Sequence, residues 1–416
     1  MVFEDALLTG PKVTRPYNNH LSSSRIQVIP LSGIPHANYL YSLAMTKDPF
    51  RIIVTGDSAG GVYIWDAFAS INGDQLMSRQ QKNGLVDTVT RSGILLGSFE
   101  CFENPRDKLN PSAVHSLDVQ KNGLWCLAGT TKGAISLYSV RCRPGSYIHT
   151  LNGHSSSVSD LRISDSQHMA ISGDWSGKIN MWDLNAGKVV NCLNATNTQI
   201  THLEFQSVNR EKKDNRLFLA CGMDGSVILC DARQKKFAGQ LEQLTTTPPW
   251  AISASYSDDG SKILIGRRDN SIEEYIGGKL FKKYKLPSGS GPVSHAKYLP
   301  NGHAVCSSID NIRIVNLVDY DRIVNAPASS ETFTTPFEIQ SSHHGGPISR
   351  MELDVNHEFL CTGLGVRDWS IDIFSAGVST PFQLNTKTKK SLDTSSGYVN
   401  CLLYQVKPKE KIEIID

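Results

Sequence analysis

A histidine and a serine stand side by side in the stretch GHSSS, residues 153–157, where His154 precedes Ser155. This pair could serve nucleophilic catalysis, with the histidine as the base that activates the serine hydroxyl. A nucleophile elbow, however, follows the pattern G-x-S-x-G, because its strained turn leaves no room for a side chain at the last position. Ser157 occupies that position, and no helical periodicity follows it. We therefore predict that Ser155 is a loop residue, that His154 is structural and that the chain has no catalytic residue.

His343 and His344 form a second candidate site, this time for a metal ion. Adjacent residues on an extended chain point in opposite directions, and no cysteine, histidine or aspartate cluster lies nearby in the sequence. Neither a phosphate-binding P-loop nor a dinucleotide-binding fingerprint occurs. The sequence therefore predicts no metal, no cofactor and no small-molecule substrate.

Charge and cysteine content narrow the class of protein further. The nine cysteines include no C-x-x-C pair and are odd in number, which indicates free thiols in a reducing compartment. Lys+Arg of 42 against Asp+Glu of 40 provides no general surface for a polyanion. No apolar run approaches membrane-spanning length, and the N-terminus lacks a signal-peptide core. We expect an intracellular protein that binds no membrane and does not read nucleic-acid sequence directly.

The elements that must position any site come from an internal repeat. One pattern occurs seven times along the chain. It consists of an apolar strand, a short turn, a second apolar strand, a tight turn and a third strand in which one position is usually aromatic; we call that position the aromatic slot. That slot is occupied in turn by Trp65, Tyr138, Trp182, Cys230, Tyr275, Val315 and Phe374. The regular spacings of 40 to 48 residues are typical of WD-repeat β-propellers, whose blades have four strands. The sequence thus predicts an all-β fold: a single seven-bladed propeller of four-stranded antiparallel sheets.

The repeat also sets the domain boundaries. We predict a flexible segment at 1–25, the propeller at 26–377 with insertions at about 68–93 and 318–347, and a tail at 378–416. Fourth strands are predicted at 94–100, 146–151, 188–193, 236–241, 279–286 and 333–339. The seventh blade lacks one, and residues 25–31 could supply it and close the ring. The strand-like segment 397–406 in the tail could be a fragment of an eighth blade, a capping strand or the sign of a truncated chain.

Histidines recur at one phase of the repeat. His36, His154 and His344 each lie four residues before the first apolar residue of a first strand. In WD repeats a histidine at this position hydrogen-bonds into the blade beside the aromatic residue of the third strand, which is Trp65 or Trp182 here. Aligned on the end of the third strand, the usual turn aspartate falls on Ala59, Ser176 and Asp224 in the first, third and fourth blades. The sequence therefore predicts that no blade carries a complete hydrogen-bond network.

Binding is expected on the propeller face that carries the loops before the first strands and after the second strands. Tryptophan, methionine and arginine are enriched in protein interfaces. The predicted partner-binding residues are Trp175, Met223, Trp250, Arg267, Arg268 and Arg367. Arg267 and Arg268, in the turn GRRDNS, are predicted to face solvent and to be the strongest candidates.

Three segments go beyond the general repeat. LVDTVTRSGILLGSFE (85–100), GLWCLAGTTKGAISLYSVR (123–141) and SGDWSGKINMWDLNAGK (172–188) resemble the WD-repeat subunit of the fungal SAGA transcription coactivator, of the suppressor-of-Ty class. The resemblance implies a nuclear, non-enzymatic scaffold that docks on the coactivator and contacts TATA-binding protein. Two other classes stay open: a substrate receptor of a ubiquitin ligase, although no F-box is visible, and a propeller enzyme, which needs converging acids or histidines at the channel mouth.

Overall fold

The computed structural model describes residues 26–36, 38–47, 51–73, 75–77, 89, 91–104, 110–206, 217–234, 237–243, 248–299, 302–308, 311–318, 320, 337–342, 348–354, 357–364 and 398–408. Within these residues no helix is long and apolar enough to span a bilayer. The strands form seven sheets, each with at least four strands in antiparallel order. The predicted seven-bladed, all-β propeller is confirmed.

Blades one to three follow the repeat closely. Blade one contains β2 (Leu40–Met45), β3 (Ile52–Asp57), β4 (Gly61–Asp66) and β6 (Ile94–Glu100). Blade two contains β7 (Ser116–Val119), β8 (Trp125–Gly129), β9 (Ala134–Ser139) and β10 (Tyr147–Asn152). Blade three contains β11 (Val158–Ile163), β12 (Met169–Asp174), β13 (Lys178–Asp183) and β14 (Lys188–Asn194). Their fourth strands lie within one residue of the predicted ranges.

Blades four to six repeat the same order. Blade four contains β15 (Ile200–Phe205), β16 (Leu217–Gly222), β17 (Val227–Asp231) and β18 (Phe237–Gln240). Blade five contains β19 (Ala251–Tyr256), β20 (Lys262–Arg267), β21 (Ser271–Ile276) and β22 (Lys279–Lys285). Blade six contains β23 (His295–Leu299), β24 (His303–Ser307), β25 (Asn311–Asn316) and β26 (Phe337–Ser342). β26 begins four residues later than the predicted strand at 333–339.

The seventh blade joins the two ends of the described chain. Its strands are β27 (Ile348–Leu353), β28 (Phe359–Leu364), β29 (Tyr398–Pro408) and β1 (Ile26–His36), in that order. β1 pairs antiparallel with β29 along its whole length, and so closes the ring as predicted. Closing the ring in this way leaves no unpaired gap between the first and last blades.

The third strand of this blade corrects the sequence analysis. The repeat predicts this strand at IDIFS (371–375), around Phe374, but β29 takes that place beside β28. The predicted propeller end at residue 377 is therefore wrong, because the sheet includes residues 398–408. The segment 397–406 is neither an eighth-blade fragment nor a cap. Phe374 and the segment 1–25 lie outside the described residues.

The blade-one insertion begins with a short helix, α1 (Ala67–Asn72), capped by the Asp66 carboxylate, which accepts the Ala69 N–H at 2.8 Å. Further along, β5 (Arg91–Ser92) pairs in parallel with β1. Met77 and Val89 of this insertion are buried against blades six and seven. The insertion thus packs beside the closing strand.

The apolar core lies between the blades. Seven clusters of buried side chains occur, and each joins two neighbouring sheets; Ile64 of blade one, for example, packs with Val114 and Tyr138 of blade two. The first strands adjoin one another in a closed circle around the central channel. Each blade therefore buries its apolar faces only against its neighbours, and the ring is stable as a unit.

Candidate functional site: the entry face and its supports

A buried network in blade three organises the GHSSS stretch. The His154 ring contacts an Asp174 oxygen through Nδ1 at 2.9 Å and the Ser172 hydroxyl through Nε2 at 2.6 Å. The Trp182 indole donates to the same hydroxyl at 2.7 Å. The prediction that no blade has a complete network is wrong: the aspartate is Asp174, two residues before Ser176, because the turn begins at the end of β12.

These contacts also answer the catalytic question. Aspartate, histidine and serine stand in the order of a hydrolytic triad, but the serine is Ser172 and not Ser155. Ser172 and the His154 side chain are fully buried, and Ser172 already accepts the Trp182 N–H. Burial alone would raise the pKa of Asp174, but hydrogen bonds from His154 and Ser176 hold it below its usual value. The arrangement therefore braces the blade, since a substrate has no access to the hydroxyl.

Blade one carries a variant of this network. Trp65 donates to the Thr55 hydroxyl at 3.0 Å, and that hydroxyl lies 3.2 Å from His36 Nε2. The Asp57 carboxylate does not hydrogen-bond to the histidine and instead accepts hydrogen bonds from the Asn38 amide at 2.9 Å and from the Tyr63 hydroxyl at 3.2 Å. Burial lowers the pKa of His36 to about 3, so its ring is neutral at physiological pH. His344, the third predicted structural histidine, lies outside the described residues.

Arg267 occupies the aspartate position in blade five. In the strand register Ala251 pairs with Arg267, as Val158 pairs with Asp174 in blade three. The Arg267 guanidinium is 2% exposed and donates to Glu273 at 2.8 Å and to the carbonyls of Gly225 and Pro249 at 2.6 and 3.0 Å. The predicted solvent exposure of Arg267 is therefore wrong. Its positive charge is paired with Glu273 inside the protein, and its guanidinium links blade five to the loops of blade four.

In several blades the residue that directly follows the second strand lies at the protein surface. The backbone N–H groups of Ser58, Trp175, Met223 and Arg268 donate to the carbonyls of Tyr39, Ser157, Gln199 and Trp250, at 2.9 to 3.1 Å. Each acceptor immediately precedes a first strand. We call this surface the entry face: the residues just before the first strands together with those just after the second strands. It brings together Trp175, Met223, Trp250 and Arg268, four of the six predicted partner-binding residues; Arg367 lies outside the described residues.

The entry face carries an aromatic row that sequence reasoning missed. Tyr41 stacks on His115 with ring centroids 5.2 Å apart, and His115 meets the edge of Trp175 at 5.6 Å. A groove of about 530 Å³ beside this row is lined by His115, Thr131, Lys132, Ser155, Ser156, Ser157 and Trp175. Trp175 is 37% exposed and Tyr39, on the same face, 43%. Tyr39 directly precedes a first strand, as Trp250 does, and this shared position in the repeat could have identified it from the sequence.

A second exposed element of this face is a cation–π pair. The Arg268 guanidinium lies 4.1 Å from the centroid of the Trp250 ring. Arg268 is exposed, while Trp250 is half-buried. The flat guanidinium is thereby held in one orientation and keeps its edge free for a partner's acceptor groups.

Charged side chains inside the channel hold the entry face in place. Arg350 of blade seven reaches along the inside of the ring over blades one to three, where it donates to the carbonyls of Tyr41, His115 and Ser159 at 2.9, 2.9 and 3.3 Å. The same guanidinium lies 3.4 Å from the Asp160 carboxylate. Arg350 is buried, so these bonds fix the first strands of blades one, two and three directly below the aromatic row.

Arg350 belongs to a larger set that we call the channel network. Its members are side chains of first strands and touch one another across the ring: Asp160, Arg162, His202, Glu204, Lys297, Arg350 and Glu352. Arg162 reaches Glu352, 190 residues away, at 2.7 Å. Burial alone would raise the pKa of Glu204, but Lys297, His202 and Arg162 lower it to about 2. The carboxylate is ionised at neutral pH and interacts with cations on two other strands, Lys297 of β23 and Arg162 of β11.

Metal binding finds no support in the described part of the chain, where no group of three or more histidine, cysteine, aspartate or glutamate side chains could hold an ion. His343 lies outside that part. What the entry face offers is an exposed aromatic and cationic surface on a rigid ring.

Comparisons with known proteins agree with this architecture. The profile of the SPT8 β-propeller family matches residues 26–213 and 206–373. The SAGA complex subunit Spt8 of Schizosaccharomyces pombe is 29% identical over 84% of this chain and 78% of its own length. SAGA complex subunit SPT8 of Saccharomyces cerevisiae is 27% identical over 85% of this chain and 72% of its own. The small ribosomal subunit protein RACK1 of Neurospora crassa shares 28% identity over only 30% of this chain. Because the family profile spans most of the propeller, the chain belongs to the SPT8 β-propeller family.

Proposed function

We propose that this protein is a non-enzymatic scaffold subunit of a SAGA-like transcription coactivator complex in the nucleus. We propose further that it binds TATA-binding protein and helps to deliver or regulate it at promoters. Two relatives that are named as SAGA subunits match more than four fifths of the chain, which supports the complex. The contact with TATA-binding protein rests on the family resemblance and on the chemistry of the entry face.

The observation that carries the proposal is the exposed aromatic and cationic content of the entry face. Trp175 of blade three and the Trp250–Arg268 pair of blade five lie on the same face of the ring. Arg350 ties together the first strands of blades one, two and three beside Trp175. Tryptophan and arginine are the residue types that most often dominate binding energy. Because these anchors are already held in place, binding orders few side chains, and more of the contact energy appears as affinity.

Affinity purification of the tagged chain from nuclear extract, followed by mass spectrometry, tests the proposal. We expect histone-acetyltransferase-complex subunits together with TATA-binding protein. A variant with Trp175→Ala and Arg268→Glu should lose TATA-binding protein, while Leu124→Ser should retain it. Leu124 is a matched control because it is exposed and immediately precedes a second strand, at the opposite face of the ring. Recovery of cullin-type ligase components in place of coactivator subunits would contradict the proposal.

A further inference from the structure

Apolar side chains recur at one place on the outer circumference of the propeller. In blades one to five the fourth strand carries a β-bulge at the same position, beside the residue of the aromatic slot. The bulged residues are exposed: Leu96, Ile148, Val190, Ala238 and Phe281. Such bulges twist an edge strand and so discourage other strands from pairing with it.

Blade five differs from the others in its charge. β22 has the sequence KLFKKYK, with lysines at 279, 282, 283 and 285, whereas β14 of blade three has one lysine, Lys188. Phe281, at its bulge, is 62% exposed, more than the bulged Leu96, Ile148 and Val190 of blades one to three. Lysines alone would keep other strands from pairing with this edge strand, but an exposed phenylalanine among them adds an apolar surface that a partner can contact.

Two of these lysines are available for a partner. The Lys283 ammonium contacts Asp269 at 2.9 Å and Glu273 at 3.2 Å, and Lys282 lies 5.2 Å from the centroids of the Tyr284 and Tyr320 rings. Lys279 and Lys285 are exposed, and neither has an ion-pair partner among the described residues. The surface therefore presents an apolar side chain between two uncompensated cations.

We propose that this surface, formed by Lys279, Phe281 and Lys285, binds an extended acidic segment of a partner protein in which an apolar side chain is flanked by carboxylates. At a rise of about 3.3 Å per residue, Lys279 lies roughly 7 Å before Phe281 and Lys285 roughly 13 Å after it. An extended peptide has the same repeat, so carboxylates two residues before and four after an apolar residue meet both ammonium groups. Charge complementarity thus identifies the occupant.

The backbone of β22 shows how such a segment is recognised. At one end the Leu280 N–H donates to the Glu242 carboxylate at 3.2 Å, and at the other the Lys285 N–H donates to the Tyr320 hydroxyl at 3.3 Å. Since side chains occupy both ends of the edge, the segment binds through its side chains and not as an added strand. Two separated ammonium groups on either side of an apolar side chain match spaced carboxylates better than the continuous phosphates of a nucleic acid.

The space around the surface is open. The turn before β22 contains Gly277 and Gly278, with φ of 59° and 81°, and an added Cβ at either residue would meet no atom within 4 Å. The turn that precedes Lys279 is therefore not crowded by side chains on the side where these Cβ atoms would point.

Selection from a random-peptide display library tests this proposal with the full chain as bait. Counter-selection uses the variant Lys279→Glu, Phe281→Ala, Lys285→Glu, and Lys188→Glu with Val190→Ala is the matched control, because those residues hold the same positions around the bulge of blade three. We expect enriched peptides in which acidic residues flank an apolar one. Synthetic versions should bind roughly tenfold or more weakly to the blade-five variant and unchanged to the control.

Three results would overturn the proposal. The first is enrichment of no peptide that distinguishes the chain from its blade-five variant, and the second is enrichment of peptides without acidic residues. The third is tighter binding of a 20-nucleotide single strand of DNA through the same three residues, which would identify a nucleic-acid surface. Melting curves of both variants should match the wild type, so that loss of binding is not loss of fold. The proposal does not depend on the entry face, and its failure would leave the proposed function intact.

Discussion

Arg267 provides a sharp test of how the propeller is held together, because its neighbour in sequence, Arg268, has the opposite environment. The Arg267 guanidinium is buried and bonds to Glu273 and to the carbonyls of Gly225 and Pro249. Arg268 is exposed and rests on the Trp250 ring. We expect Arg267→Ala to destabilise the fold and Arg268→Ala to leave it nearly unchanged.

The expected magnitude follows from the partners that are left behind. Removing one member of a buried charge pair costs about 3–5 kcal/mol when the other is stranded. Glu273 keeps the Lys283 ammonium at 3.2 Å and the Tyr275 hydroxyl at 2.9 Å, so its charge is not stranded. The two carbonyls lose their donor without replacement. We therefore expect a loss near the lower limit, about 3 kcal/mol. For Arg268→Ala the loss of an exposed cation–π contact predicts less than about 1 kcal/mol.

Urea unfolding, followed by circular dichroism and tryptophan fluorescence, measures both values from the midpoint and the slope. Arg267→Met combined with Glu273→Leu serves as a control, since replacing both charges together should recover much of the loss. If Arg267→Ala cost less than about 1 kcal/mol, or no more than Arg268→Ala, the arginine would not be the structural link between blades four and five that the geometry indicates.

Three further predictions concern the blade network, the channel and the thiols. Ser172→Ala leaves Trp182 and His154 without their shared partner and should cost about 2–4 kcal/mol in urea unfolding, against less than about 1 kcal/mol for the more exposed Ser176→Ala; equal costs would contradict the network. Because the pKa of Glu204 is lower in the folded protein, about 2 instead of 4.5, its contribution to stability is complete above pH 4.5 and lost as the pH falls toward 2. Glu204→Gln should therefore be less stable at pH 7 and show a flatter stability profile between pH 4.5 and 2; an unchanged profile would argue against the channel network. Of the nine free cysteines only the exposed Cys142 and Cys192 should react with a thiol reagent before unfolding, and rapid modification of a third would contradict the packing between blades.

The repeat makes the fold predictable from sequence. Apolar positions at fixed phases define the first three strands, and the fourth strand at Ile94–Glu100 has the bounds that the sequence predicted. Closure by the N-terminal strand was also foreseeable, since a ring with an open edge is unstable. The third strand of the seventh blade was not, because two apolar segments, 371–375 and 397–406, could fill that place. Pattern gives the propensity of each segment to form a strand, and pairing decides between them.

The errors at the candidate site have a common cause, which is register. A shift of two residues in the turn moved the expected aspartate from Asp174 to Ser176 and concealed a complete network. A shift of one residue placed Arg267 in the turn, although it ends β20 opposite Ala251. One part of the channel network is visible in the sequence, because the charged residues Asp160 and Arg162 stand at alternate positions of a first strand that is otherwise mostly apolar. Its partners, such as Glu352, lie up to 190 residues away, and only the closed ring brings them together.

Direct binding of purified TATA-binding protein tests the central claim most immediately. Biolayer interferometry with the immobilised full chain should give saturable binding, weakened roughly tenfold or more by Trp175→Ala with Arg268→Glu and unchanged by Leu124→Ser on the opposite face. Absence of saturable binding would contradict a direct contact with TATA-binding protein, and equal binding by all three chains would show that the entry face is not its surface.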